Sequence, residues 1–121
     1  MTLSGDSVTL VGDNDPVLPA QDVADSFDAY VGTADPSDPL VSPVFGDYTG
    51  VTPLFLLAGT REIVCSDAIR TATQARQVGC DVTLILLDGM WHVPIADGSD
   101  IPELQFAFDE MIKFFGQHLK L

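Results

Sequence analysis

The chain has 121 residues, 18 of them acidic and 5 basic, for a formal charge of -13 at pH 7. That balance excludes nucleic acid and anionic membrane surfaces as partners, because both would repel it. Hydrophobic residues make up 46% and charged residues 19% of the chain, which argues against disorder and allows one domain with a buried core.

Residues 1–19 carry Gly5, Gly12, Pro16 and Pro19 among short apolar pieces and read as a loop with a brief extended segment. Asp6, Asp13 and Asp15 lie there with no basic flank or apolar core of signal-peptide length. No apolar run approaches the ~18 residues that a membrane span needs. From Gln21 to Tyr30, Val23, Phe27 and Tyr30 share one helical face, so a short helix is predicted. Residues 31–52 hold Gly32, Pro36, Pro39, Pro43, Gly46 and Gly50, a long loop of the kind that is functional or pinned against another surface.

Leu54 to Ala58 is continuously apolar and ends in Gly59, the pattern of a strand covered on both faces. Ser66 then caps a helix with Ala68, Ile69, Ala72, Ala75 and Val78 on its apolar face, and Gly79 stops it in a left-handed conformation. Val82 to Leu87 is a second buried strand. The last predicted element is an amphipathic helix over 101–119, with Leu104, Ala107, Phe108, Met111, Ile112 and Phe115 as its stripe. Asp100 and Glu103 form a reciprocal cap at its start, and Lys113, His118 and Lys120 favour its negative end.

Strand, helix and buried strand without a hairpin signal make a βαβ unit, hence parallel pairing and a right-handed crossover. Two parallel strands rarely stand alone, so the sheet is expected to be incomplete, with its other strands supplied by a second copy, another chain or an upstream segment. Cys65 and Cys80 bracket a predicted helix of about 14 residues, which separates them by roughly 20 Å. They should therefore be free thiols in a reducing compartment, the cytoplasm by default.

Ligands of open parallel sheets bind beyond the carboxyl ends of the strands. Glu62 lies just past the first strand in Gly59-Thr60-Arg61-Glu62, and His92 just past the second in Asp88-Gly89-Met90-Trp91-His92. Adjacent strands would thus present a carboxylate and an imidazole together, and a carboxylate on one ring nitrogen leaves the other free as a general base. The plainer alternative is a loop histidine and a solvated carboxylate. Cys65 sits near a helix N-terminus but lies on the helix side of the turn and reads as core filler. Met90 and Trp91 either line an acyl pocket or simply pack, and His118 reads as a surface residue. No histidine or cysteine cluster has metal-ligand spacing, and no glycine-rich phosphate loop follows a strand, so no metal, nucleotide or other cofactor is implied.

Several spaced motifs together resemble one family. Asp35-Pro-Ser-Asp-Pro-Leu-Val-Ser-Pro43, Gly50-Val-Thr-Pro-Leu-Phe-Leu-Leu-Ala-Gly-Thr-Arg-Glu62, Ser66-Asp67, Ala75-Arg-Gln-Val-Gly79 and Asp88-Gly-Met-Trp-His92 are similar to the C-terminal portion of the hormone-sensitive-lipase-like esterases. Leu3-Ser-Gly-Asp-Ser7 resembles the segment that precedes their late helices. The resemblance implies an α/β fold, namely the C-terminal βαβα portion of an α/β-hydrolase, with parallel strands flanked by helices and residues 1–121 as a partial domain. It implies His92 as the triad histidine and Glu62 as the triad acid, with Asp67 as second choice because a carboxylate in the first helical turn is already explained by the helix dipole. Acid before histidine is the α/β-hydrolase order.

The family's nucleophile elbow G-x-S-x-G and its oxyanion segment are absent: Ser7 follows Gly5 and Asp6, but Thr9 stands where the second glycine belongs. Gly5-Asp6-Ser7 also resembles the start of a GDSL-type hydrolase, but Val8 replaces the expected leucine and Asp88 and His92 are spaced too widely. The expectation is a fragment of a cytoplasmic serine carboxylesterase that acts on short to medium acyl esters when intact and is inactive alone. Its partners would be an acyl ester and either a second copy or the upstream portion. A non-catalytic oligomeric or partner-binding α/β module is the alternative.

Overall fold

The computed structural model describes residues 3–98 and 100–119. The apolar hexamers LFLLAG and VTLILL form strands β1 (Leu54–Gly59) and β2 (Val82–Leu87), which pair in parallel and in step from Leu54 opposite Val82 to Gly59 opposite Leu87. This register brings the two carboxyl ends to the same rim of the sheet. Before the strands come a short helix α1 (Asp6–Leu10) and helix α2 (Ala20–Val31), with single 3₁₀ turns at Gly12–Asn14 and Pro43–Phe45. Helix α3 (Cys65–Gln77) connects the strands, and after a 3₁₀ turn at Pro94–Asp97 helix α4 (Pro102–His118) closes the chain. The chain thus has the expected α/β architecture, a small parallel sheet flanked by helices.

Helix α3 buries Ala72 and Ala75, small residues that let it lie close, and Gly79 beyond it has a φ of 81°, the left-handed stop expected there. Helix α4 packs Leu104 and Ala107 onto Leu87, with Leu57, Ile85, Met90 and Ile101 around them. Farther along, Phe114 meets Phe55 with ring centroids 5.4 Å apart. Burying a side chain such as Leu104 contributes about 1.5–3 kcal/mol, so this contact ties the last helix to both strands.

Several expectations are corrected. Residues 1–19 are helical in part rather than extended: α1 forms because Ser7 ties it to the turn before α3. Ser66 does not cap α3. The turn after β1 already coils, with Cys65 N–H on the Glu62 carbonyl, so α3 begins at Cys65 with Val64 as its cap residue. The reciprocal cap by Asp100 and Glu103 is also absent, because Ile101 occupies the cap position and Pro102 opens the helix. On the apolar faces, Tyr30, Ile69, Val78, Ile112 and Phe115 are exposed, while Phe114, outside the expected stripe, is buried. His118 is exposed on the last helix, as expected, with its ring 4.5 Å from that of Phe114 and its Nε2 3.6 Å from Asp81 Oδ2. Lys120 lies outside the described residues.

The strands are also less covered than expected. Leu54–Leu57 and Val82–Ile85 are only half-buried and Leu86 is exposed, because among the described residues there are two strands and each has an edge without a strand neighbour. Both cysteines are free thiols. Among the described residues no helix is long and apolar enough to cross a membrane.

Candidate active site

Two turns at the carboxyl rim of the sheet interlock. Thr60 N–H donates to the Leu87 carbonyl at 3.0 Å and Arg61 N–H to the Met90 carbonyl at 2.9 Å. The Thr60 hydroxyl donates to Asp88 Oδ1 at 3.1 Å and accepts from Gly89 N–H at 2.8 Å. Gly59 is required at this crossing: a Cβ there would lie 2.2 Å from the Met90 carbonyl oxygen and 2.6 Å from that of Trp91. The missing side chain lets the loop that carries His92 pass directly over the end of β1.

Within this clasp the carboxylate of Glu62 turns inward. Its Oε1 accepts the Gly59 N–H at 3.1 Å, and its Oε2 lies 2.6 Å from His92 Nδ1. The Glu62 side chain is 5% exposed and that of His92 31%, so the carboxylate is sequestered while the imidazole reaches the surface. Burial pushes the Glu62 carboxyl above its ordinary value; the hydrogen bond and charge of His92 and the Gly59 N–H pull it down, and the nearby Asp15 carboxylate adds to the rise. With Glu62 ionised, Nδ1 carries the proton and donates it, which leaves Nε2 as the basic nitrogen.

The pair borders an open, largely apolar pocket of about 360 Å³, walled by Leu56, Val64, Ala68 and Ile95 among others. Asp67 also lines this pocket, from the first turn of α3, where its Oδ1 lies 3.4 Å from Arg70 Nη1. The structure therefore brings Glu62, not the second-choice Asp67, into the hydrogen bond with His92. Val93, next to the histidine, has a φ of 49°, a left-handed conformation that is costly for a β-branched residue.

Other candidates settle into packing. The buried Ser7 hydroxyl donates to the Ile63 carbonyl at 2.5 Å and accepts from Ser66 N–H at 3.0 Å, a structural brace. Cys65 is buried, and burial together with the Glu62 charge pushes its thiol up, away from thiolate chemistry. Among the described residues no group of three or more histidine, cysteine, aspartate or glutamate side chains is placed to hold a metal ion. Sequence reasoning missed Asp15, which is 2% exposed and accepts the His92 main-chain N–H at 3.4 Å. The one local signal was its position before Pro16, where an aspartate organises a turn.

The fold agrees with comparisons to known proteins. The model of the alpha/beta hydrolase fold family matches residues 2–96. An esterase of Acinetobacter venetianus is 28% identical over 115 residues, covering 94% of this chain and 38% of that protein. The crystal structure of an esterase E25 superposes with a TM-score of 0.86 at 35% identity, covering 95% of this chain and 36% of the other. An esterase from the bacterial hormone-sensitive lipase family superposes with a TM-score of 0.88 at 30% identity, covering 98% and 40%. The chain thus spans about two-fifths of the length of these relatives, which include esterases of the hormone-sensitive lipase family, and it belongs to the α/β-hydrolase fold family.

Proposed function

We propose that residues 1–121 are the acid- and histidine-bearing portion of a serine carboxylesterase for short to medium acyl esters, with Glu62 and His92 as two members of its catalytic triad. The observation that carries this reading is the 2.6 Å contact between buried Glu62 and His92 Nδ1 beside an apolar pocket. A serine hydroxyl supplied by an upstream portion would lose its proton to Nε2 of His92 as its oxygen attacks the ester carbonyl carbon. Nε2 would then pass that proton to the leaving alcohol, giving an acyl-enzyme that water cleaves by the same relay. Glu62 would hold the ring orientation and stabilise the imidazolium. The apolar walls of Leu56, Val64 and Ile95 suit an upstream element or an acyl chain. The open strand edges favour association with that upstream portion over a solitary state.

A chimera tests this: the 121-residue chain replaces the matching C-terminal part of esterase E25, which supplies the upstream portion. The chimera should hydrolyse p-nitrophenyl butyrate while the 121-residue chain alone does not, and His92→Ala should lower chimera turnover by about 10³-fold or more. Turnover that is indifferent to His92→Ala would overturn the assignment.

A further inference from the structure

A pair that must hold a 2.6 Å contact needs its histidine fixed at the main chain as well as at the ring, because the loop after β2 has no ladder partner once it leaves the sheet. The described contacts supply one such fixture from far away in sequence. Asp15 is buried at 2% exposure, and its Oδ1 accepts Val17 N–H at 2.9 Å, Leu18 N–H at 3.2 Å and His92 N–H at 3.4 Å. Next to it, the Asn14 carbonyl accepts from Arg61 Nη2 at 2.8 Å. One short segment, residues 14–15, thus grips both turns of the site: the Glu62 turn through Arg61 and the His92 loop through the aspartate.

We infer that Asp15 is a positioning residue for His92, its carboxylate anchoring the main chain of the histidine loop so that the imidazole stays against Glu62. This rests on the acid–base reading of the pair. Two observations separate Asp15 from an ordinary turn aspartate. Its local task, closing the turn at 15–18, requires no burial, yet the side chain is fully enclosed, and its Oδ2 has no hydrogen-bond partner among the described residues. An enclosed carboxylate oxygen without a partner is costly and persists where the other oxygen is needed. The Asp15 charge also pushes the Glu62 carboxyl up.

The test uses the 121-residue chain and amide hydrogen exchange by NMR, together with the downfield proton resonance of His92 Nδ1–H. Asp15→Ala should accelerate exchange at the His92 amide by about tenfold or more, the order expected for losing a hydrogen bond to a charged acceptor, and should weaken the Nδ1–H resonance. Asp15→Ser keeps a short acceptor for Val17 and Leu18 but cannot reach His92. It should free the His92 amide while leaving the Val17 and Leu18 amides protected, and it carries the test if the alanine variant does not fold. Asp15→Asn retains the acceptor oxygen and should restore protection to within about twofold. Unchanged His92 exchange in the folded serine or alanine variant, or an asparagine variant as impaired as alanine, overturns the inference. If the native chain shows no downfield Nδ1–H resonance, the acid–base reading is what fails, and amide exchange still decides on Asp15.

Discussion

Gly59→Ala is the most direct perturbation of the site, because it adds one methyl group at the crossing of the two turns and touches neither Glu62 nor His92 chemically. The added Cβ would stand 2.2 Å from the Met90 carbonyl oxygen, where ordinary contact begins at 3.4 Å. The obstacle is main chain, which cannot swing aside as a side chain would, so the loop must retreat by about 1 Å. His92 lies two residues beyond Met90, and a retreat of that size stretches the 2.6 Å contact to Glu62 past about 3.5 Å, where the hydrogen bond is lost. The expected cost is about 1–3 kcal/mol of stability from overpacking and about 10²-fold in turnover from a misplacement of that size. Urea unfolding of the chain measures the first, and p-nitrophenyl butyrate hydrolysis by the E25 chimera measures the second. Native stability together with native turnover would refute the claim that the crossing sets the geometry of the pair.

Three further outcomes follow from the contacts. Glu62→Gln should lower kcat of the chimera by about 10⁴-fold, as loss of a triad carboxylate does, and far more than Asp67→Asn; the reverse ranking would transfer the acid's role to Asp67. The same variant has a pH signature. Burial holds the Glu62 carboxyl above its ordinary 4.5, so the folded chain binds that proton more tightly than the unfolded chain, and this contribution, full below the unfolded value, is lost as pH rises through the folded one. Denaturant midpoints of Glu62→Gln relative to the native chain should therefore climb as pH rises above the ordinary 4.5, and a fall there would contradict the burial argument. Ser7→Ala removes a buried donor and acceptor from the Ile63 carbonyl and the Ser66 N–H and should cost about 1–3 kcal/mol with chimera turnover preserved. Lost turnover at full stability would instead make Ser7 a reacting group.

Much of this arrangement was legible in the sequence because it depends on short-range regularities. Two apolar hexamers flanking a helix-period segment specify β1, α3 and β2, and parallel pairing then fixes which ends coincide, so Glu62 and His92 fall on one rim without further information. What escaped depends on contacts between distant segments. The five residues of α1 carry no periodicity of their own and are held by Ser7, which bonds to residues more than fifty positions away. The sequence stripe ran through Phe115 and left out its neighbour Phe114, but it is Phe114 that meets Phe55 on β1 and is buried. Asp15 looked like one turn aspartate among many because its third hydrogen bond spans 77 positions.

The clasp between the two turns has an evolutionary corollary. Carboxylate, imidazole, the glycine that permits their approach and the threonine that laces the turns together all lie between positions 59 and 92. A gene segment of that size encodes the carboxylate and the imidazole together with the crossing that spaces them, so the Glu62–His92 contact is inherited as one unit.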